Sequence, residues 1–263
     1  GFTLETDAWV AEASGGQIVG YEEFINRHAH AVFSGDGYVH PDHLGRGVGT
    51  AMLRALDERA LAEMKLAEPG LRVYIRNGTS INDTVGRAIH EAEGYRPIRF
   101  SWRMEIKLTE TPPAPTWSAG LELRPFIPGQ HDRLLFDATE EAFLDHWGHT
   151  PGNFTDWQNR RIKHADFDPS LFHVVWDGDQ IAGFSQNRFR MGIGWVGTLG
   201  VRRPWRKRGL GLSLLQHSFG EFFRRGQPLV GLGVDAENPT GATRLYQRAG
   251  MSVASQYVIY EKE

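Results

Sequence analysis

Residues 206–211 read RKRGLG, three cations running into two glycines. Positive charge and bare backbone at one place suit a polyanion. At the start of a helix the first four amide N–H groups lack partners, and the macrodipole places about half a positive charge there. Glycines let phosphate oxygens reach those amides, and cationic side chains add Coulomb attraction, so pyrophosphate is the natural guest. A near copy, LGRGVG, occupies residues 44–49.

Such a loop needs a strand before it and a helix after it, and the C-terminal half supplies both. GWVGTLGVRR (194–203) has strand character, and after the loop Leu214, Leu215, Ser218, Phe219 and Phe222 fall on one helical face that ends at Gly226. Upstream, GLELRPF (120–126) alternates as a strand. Residues 132–147 carry Leu134, Leu135, Ala138, Ala142 and Phe143 at helical spacing, FTDWQNRRIKHA (154–165) is a second helix, and residues 171–189 form two strands around a DGD turn. Downstream, PLVGLGVDAE (228–237) is a strand. NPTGATRLYQRAG (238–250) is a helix opened by Asn238 with Pro239 in its first turn, and SVASQYVIYEK is the closing strand.

The N-terminal half repeats the later part of this order. Two strands surround SGG, AVFSGDGYVHP leads into LGRGVG, and Met52, Leu53, Leu56, Ala60 and Met64 line the helix that follows. LRVYIRNG is a strand, INDTVGRAIHEAEGYR a helix and RFSWRMEIKL a strand. Asn82 and Asn238, His90 and Tyr246, and Gly94 and Gly250 are each 156 residues apart. Gly47 and Gly209 are 162 apart. The expected architecture is α/β: two tandem copies of one domain, each a mixed sheet flanked by helices, the first lacking its opening strand and helices. Pro112, Pro113 and Pro115 mark a linker. The expected boundaries are 1–107 for the first domain, 108–119 for the linker and 120–263 for the second.

A chain of 263 residues holds two ordinary domains. Its net charge of −3 gives no global attraction to nucleic acid or anionic lipid, so any basic site is local. The absence of cysteine excludes disulfides, thiolate metal sites and an acyl-cysteine intermediate, and agrees with a cytoplasmic location. No apolar run approaches the ~20 residues of a membrane span. The chain opens on Gly1 without a signal or transit pattern, and the natural N-terminus is expected to lie upstream.

The Walker pattern GxxxxGK[ST] is absent from both loops, and Gly45, Gly47 and Gly49 miss the GxGxxG spacing of dinucleotide loops. VRRPWRKRGLG instead resembles the acetyl-CoA loop of the GNAT acetyltransferase superfamily, R/Q-x-x-G-x-G/A after a strand ending near proline. NPTGATRLYQRAGM is similar to the family's following helix, with Asn238, Tyr246 and Gly250 in place and Met251 for the usual phenylalanine. The resemblance covers 120–263 well and 5–108 more loosely. The tandem arrangement is similar to that of the mycothiol synthases, without carrying over their acceptor.

The resemblance implies an N-acetyltransferase that uses acetyl-CoA as co-substrate, without a metal, and moves the acetyl group to a primary amine of a small molecule or peptide. Direct attack in a ternary complex is the implied course. Backbone at Leu199, Gly200 and Val201 would hold the pantetheine arm, with Gly197 and Gly200 allowing close approach. Amides of Arg206, Lys207, Arg208, Gly209, Leu210, Gly211 and Leu212 would take the diphosphate, with Asn238 as a further cofactor contact. Tyr246 matches the general acid. TEEAFLDHWGH offers Asp145 or His146 as base, with Glu140 and Glu141 read as solvated and Trp147 as pocket wall or core. In the first copy Leu44 and His90 replace Arg206 and Tyr246, which implies a silent half.

Three other readings compete. RRPWRKR has the composition of a nucleic-acid patch. HAH, HPDH and HWGH are the tightest histidine clusters, but none joins a third metal ligand at a recognised spacing. The functional alternative is a non-catalytic acyl-CoA-binding or sensory protein on a duplicated scaffold. The expected partners are an amine acceptor and, at most, a second copy in a homodimer; neither nucleic acid nor membrane is expected.

Overall fold

The computed structural model describes residues 2–238 and 240–263. In chain order the elements are α1 (Leu4–Asp7), β1 (Ala8–Glu12), β2 (Ile18–His28), β3 (Val32–Val39), α2 (Val48–Glu63), β4 (Tyr74–Ser80), α3 (Thr84–Ala92), β5 (Arg96–Lys107), β6 (Leu121–Pro125), α4 (Asp132–Phe143), α5 (Phe154–Arg161), β7 (Phe172–Asp177), β8 (Gln180–Arg190), β9 (Ile193–Val201), α6 (Leu210–Arg224), β10 (Leu229–Asp235), α7 (Ala242–Arg248) and β11 (Ser252–Lys262). The expected mixed α/β architecture is present. The chain divides into two compact units, residues 1–101 with 256–263, and residues 102–255. The first unit also holds the end of the chain, which the expected boundaries of 1–107, 108–119 and 120–263 assign to the second domain. There β11 pairs antiparallel with β4, from Tyr257 opposite Ser80 to Lys262 opposite Ile75.

In the first unit β1, β2 and β3 form an antiparallel meander, and β3 runs parallel to β4. Phe24, Phe33, Leu53, Leu56, Ile75, Tyr95 and Tyr260 fill its core. Met64, expected to face inward, is 38% exposed because α2 has ended by then. Among the described residues this unit has no counterpart of β6, α4 and α5.

In the second unit β6, β7, β8 and β9 are antiparallel neighbours, and β10 joins β9 in parallel. The inward face expected for α6 is buried as read: Leu214, Leu215 and Phe222 are fully enclosed, and Gly226 (φ 73°) ends the helix. Each such side chain contributes about 1.5–3 kcal/mol of transfer free energy. On α4, by contrast, Leu134 points to solvent and Phe136 packs inward with Leu135, Ala138 and Ala142. The two leucines are adjacent, so only one can lie on the buried stripe.

The last helix also starts later than expected. Asn238 Oδ1 accepts from the Thr240 amide (2.8 Å) and hydroxyl, forming a local turn. Gly241, in the left-handed region at φ 76°, caps α7 instead. Pro239, expected in the first helical turn, lies outside the described residues.

A buried polar group crosses the core of this unit. His173, 4% exposed, receives a hydrogen bond at Nδ1 from Asn187 Nδ2 (3.1 Å), while its Nε2 has no partner among the described residues. Burial lowers its pKa to about 3. The unfolded chain therefore binds a proton that the folded chain refuses, and stability falls as pH drops from about 6.5 toward 3. The expected loss is roughly 3–5 kcal/mol by pH 3. His173→Gln should flatten the acid side of a melting-temperature profile, and an unchanged profile would remove His173 as its source.

Candidate active site

Strand β9 organises the site. Val196 lies opposite Asn187 and Thr198 opposite Gln186, so Gly197 is an extra residue, a β-bulge. A Cβ at Gly197 would crowd the Gln186 carbonyl at 3.1 Å. One at Gly200 would overlap the Phe184 ring, so Gly200→Ala should destabilise the fold by about 1–3 kcal/mol, read by denaturant titration.

The two parallel strands then separate. Among the described residues, strands β9 and β10 pair only at Gly194–Val230 and Trp195–Gly231. Arg202 N–H donates to Ala182 O (3.0 Å), which fixes the alternation at the end of β9. Gly200 directs its backbone groups toward β8, whereas Leu199 and Val201 direct theirs to the open edge. Of the three residues expected to hold the pantetheine arm, Leu199 and Val201 present hydrogen-bonding groups. Gly200, by contrast, makes room for the Phe184 ring.

The loop after β9 has the shape of an anion cradle. Lys207 (φ 64°) and Gly209 (φ 79°) are both left-handed, and Gly209 caps α6. Their counterparts in the first unit, Gly45 (φ 72°) and Gly47 (φ 80°), share this shape. Arg206 N donates to Arg203 O and Leu212 N to Gly209 O. The intervening amides of Lys207, Arg208, Gly209, Leu210 and Gly211 have no hydrogen-bond partner among the described residues. Five such N–H groups on a left-handed turn are the chemistry a diphosphate requires.

The basic side chains divide into two sets. Arg206 Nε donates to Val201 O (3.0 Å) and Nη2 to Ala142 O (3.0 Å), so its guanidinium ties the strand end to α4. Arg202 pairs with Glu141 at 2.6 Å, and Arg203 with Asp145 at 2.6 Å. Trp205 is 6% exposed and donates from Nε1 to Asp177, which denies the nucleic-acid reading its stacking aromatic. Lys207 and Arg208 remain exposed beside the cradle.

Tyr246 on α7 is 9% exposed within the core around Val234 and Met251, and burial pushes its phenol up to about 12. Its hydroxyl has no hydrogen-bond partner among the described residues. The two candidate bases have different surroundings. Hydrogen bonding to Arg203, with help from Arg206, holds the Asp145 carboxyl below the usual range, so it is an ion-pair anchor and a weak base. His146 is half-buried against the Phe143 ring (centroids 4.4 Å apart), and burial lowers its pKa. The nearby Asp235 carboxylate opposes that shift. Asp235 also accepts from the Glu237 amide at the end of β10. Glu140 and Glu141 are not merely solvated: Glu140 accepts from the Gly152 amide, and Glu141 holds Arg202. Trp147 is 41% exposed, so it is not core.

The equivalent cleft in the first unit is built differently. Strands β3 and β4 also part after Phe33 and Ile75, but Asn77 Oδ1 accepts the Gly35 amide (2.8 Å) across the gap. The repeat places Gly233, without a side chain, where Asn77 stands. His90 replaces the phenol, and burial lowers its pKa. Its Nδ1 makes a 2.7 Å bond to Gly86 O, which commits the single proton of a neutral ring.

A parallel strand pair that splays beside an amide cradle, with a buried phenol on the next helix, defines an acyltransferase of the acetyl-CoA-using class. The chain belongs to the Acetyltransferase (GNAT) family: residues 133–251 match that family, and residues 5–96 match an Acetyltransferase (GNAT) domain. It is similar to the mycothiol acetyltransferase of Kineococcus radiotolerans, 33% identical over 87% of this chain and 72% of the relative. It is also similar to that of Catenulispora acidiphila, 28% identical over 98% of this chain and 82% of the relative. A crystal structure of a GCN5-related N-acetyltransferase from Sphaerobacter thermophilus shares 38% identity at TM-score 0.88, covering 100% of this chain and 82% of that one. A tandem GNAT protein of the clavulanic acid pathway shares the fold at 17% identity and TM-score 0.75, covering 98% of this chain and 82% of that one.

Proposed function

We propose that the second unit moves an acetyl group from acetyl-CoA to a primary amine of a small molecule or peptide, by direct attack in a ternary complex. The observation that carries this reading is the open edge of β9, with five unpaired amides at the end of the same strand. The residues fit acetyl-CoA: Leu199 and Val201 face the arm, and the 207–211 turn faces the diphosphate. When bound, acetyl-CoA supplies a thioester carbonyl.

His146, neutral at physiological pH, takes the proton of the attacking amine as the new N–C bond forms. Tyr246 gives its proton to the departing sulfur as the C–S bond breaks. Asn238 fixes the turn that leads into α7, the helix that carries Tyr246, through its bonds from Thr240. Asp145 positions Arg203 and Arg206. The first unit is a silent copy, because Asn77 bridges its cleft and His90 has no proton to give toward it.

The test is calorimetric titration with acetyl-CoA, followed by thiol release on a panel of amines. Uptake of one equivalent with amine-dependent release is expected; uptake without release on any amine favours the non-catalytic binder. His146→Gln should lower kcat/KM by about 10²-fold and abolish the acid limb of its pH profile. Persistence of that limb would assign the base elsewhere.

A further inference from the structure

A second cavity, of about 390 Å³, opens between α5, the 164–172 segment and the outer end of β8. Four guanidinium groups line it: Arg160 and Arg161 from α5, and Arg188 and Arg190 from β8. None of the four has an ion pair among the described residues. Two carboxylates line it too. Asp168 is held by Arg225 Nη1 at 2.7 Å, and Asp166 is exposed and lies 3.7 Å from His164. The four arginines are therefore left without a paired countercharge among the described residues. Arg161 is half-buried, and its pKa is lowered by burial and by the like charges of Arg188 and Arg160. A half-buried cation facing other cations is tolerated where an anion completes the set.

This cavity reaches the reaction strand. Arg161 Nη1 lies 3.9 Å from where a Cβ of Gly197 would stand, at the bulge, two residues before Leu199. Beside it, Gln186 is 3% exposed; its Nε2 donates to Thr139, while its Oε1 is buried without a partner among the described residues. A buried amide oxygen lacking a donor is costly unless something supplies an N–H. The cavity thus offers an acceptor for an amine hydrogen next to the bulge and guanidinium forks for an oxyanion farther out.

We infer that the acceptor is a primary amine that also carries an oxyanion, carboxylate or phosphate, bound by Arg161, Arg188 and their neighbours with its nitrogen toward Gln186. This rests on the reading of β9 as the thioester strand. It narrows the acceptor class to anionic amines, with α-amino acids and aminoalkyl phosphates as the two sources.

The experiment compares matched amines by thiol release: an α-amino acid against its decarboxylated amine, and phosphoethanolamine against ethanolamine. At least one anionic member should be preferred in kcat/KM by about 10- to 100-fold. Arg161→Met and, independently, the exposed Arg188→Gln should erase that preference mainly through KM, with acetyl-CoA affinity unchanged. The amino-acid and phosphate pairs show which oxyanion is taken. Equal or better turnover of both neutral members, with acetyl-CoA still bound, would overturn the inference and leave the acetyltransferase reading standing. A preference that survives Arg188→Gln and Arg161→Met would also overturn it. Failure to take up acetyl-CoA would instead overturn the underlying reading. In that case melting temperature in phosphate against chloride at matched ionic strength still tests the pocket: a rise that Arg188→Gln abolishes supports it, and no rise refutes it.

Discussion

Tyr246→Phe is expected to lower turnover by about 10²- to 10⁴-fold while leaving acetyl-CoA affinity unchanged. The substitution removes one oxygen and keeps the ring that packs against Val234 and Met251, so the fold should survive it. The departing sulfur is a base whose acid has a pKa near 8.5, and a phenol pushed up to about 12 stays protonated throughout the working range. The wild-type rate should therefore show no alkaline fall attributable to this group below about pH 10. Single-turnover kinetics would separate chemistry from product release. Unchanged single-turnover rates in the variant would remove Tyr246 from the acid role.

A second large effect is expected in the first unit, on stability. Glu22 on β2 is 6% exposed and lies across Gly35 and Gly37 of β3, where any Cβ would collide with its carboxyl. Burial, with Asp36, Glu23 and Asp57 nearby, raises its pKa from 4.5 to about 8. The folded chain thus holds a proton that the unfolded chain releases. Its stabilising contribution is complete below about pH 4.5 and is lost as pH rises through about 8. The gap corresponds to an upper bound of roughly 5 kcal/mol, part of which local relaxation recovers. Glu22→Gln keeps the shape without the charge. It should stabilise the protein by about 2–4 kcal/mol at pH 9 and by little at pH 5. Equal effects at both pH values would show that the carboxylate is not the cause.

The mixed fold, the tandem order and the anion loop were legible in the sequence because each rests on local chemistry. Paired glycines mark left-handed turns, and the 156-residue spacing survives in β4, α3 and their later counterparts. Helix faces were legible where apolar residues repeat cleanly, as on α6. They were not on α4, where Leu134 and Leu135 compete for one stripe. The start of α7 is not legible, because Asn238 bonds to Thr240 and Gly241 does the capping. In the site, the loop stood out through its glycines and cations, whereas Tyr246 stood out only through the resemblance of NPTGATRLYQRAGM to the family's helix. Asp145 and His146 are neighbours with opposite environments, and only packing separates them: one meets two arginines, the other an aromatic ring. Arg161 and Gln186 went unread because they are 25 residues apart in sequence and meet only through the sheet. The visible signal was an Asn-Arg-Arg-Ile-Lys run at a helix end, in which Arg160 has Asp156 one turn before it and Arg161 has no acid one turn away on either side. Asn77 was readable too, since the repeat sets it against Gly233.

The return of residues 256–263 to the first unit has a consequence for biosynthesis. On the ribosome, β4 has no antiparallel neighbour at residues 75–80 until the tail has been made. Arg72 and Arg76 wait equally long for Glu261, and Asp57 for Lys262. The half translated first is therefore the half completed last. A stop codon placed before position 256 would leave the opposite end of the polypeptide with an unsealed hydrophobic edge, a natural target for chaperones and proteases.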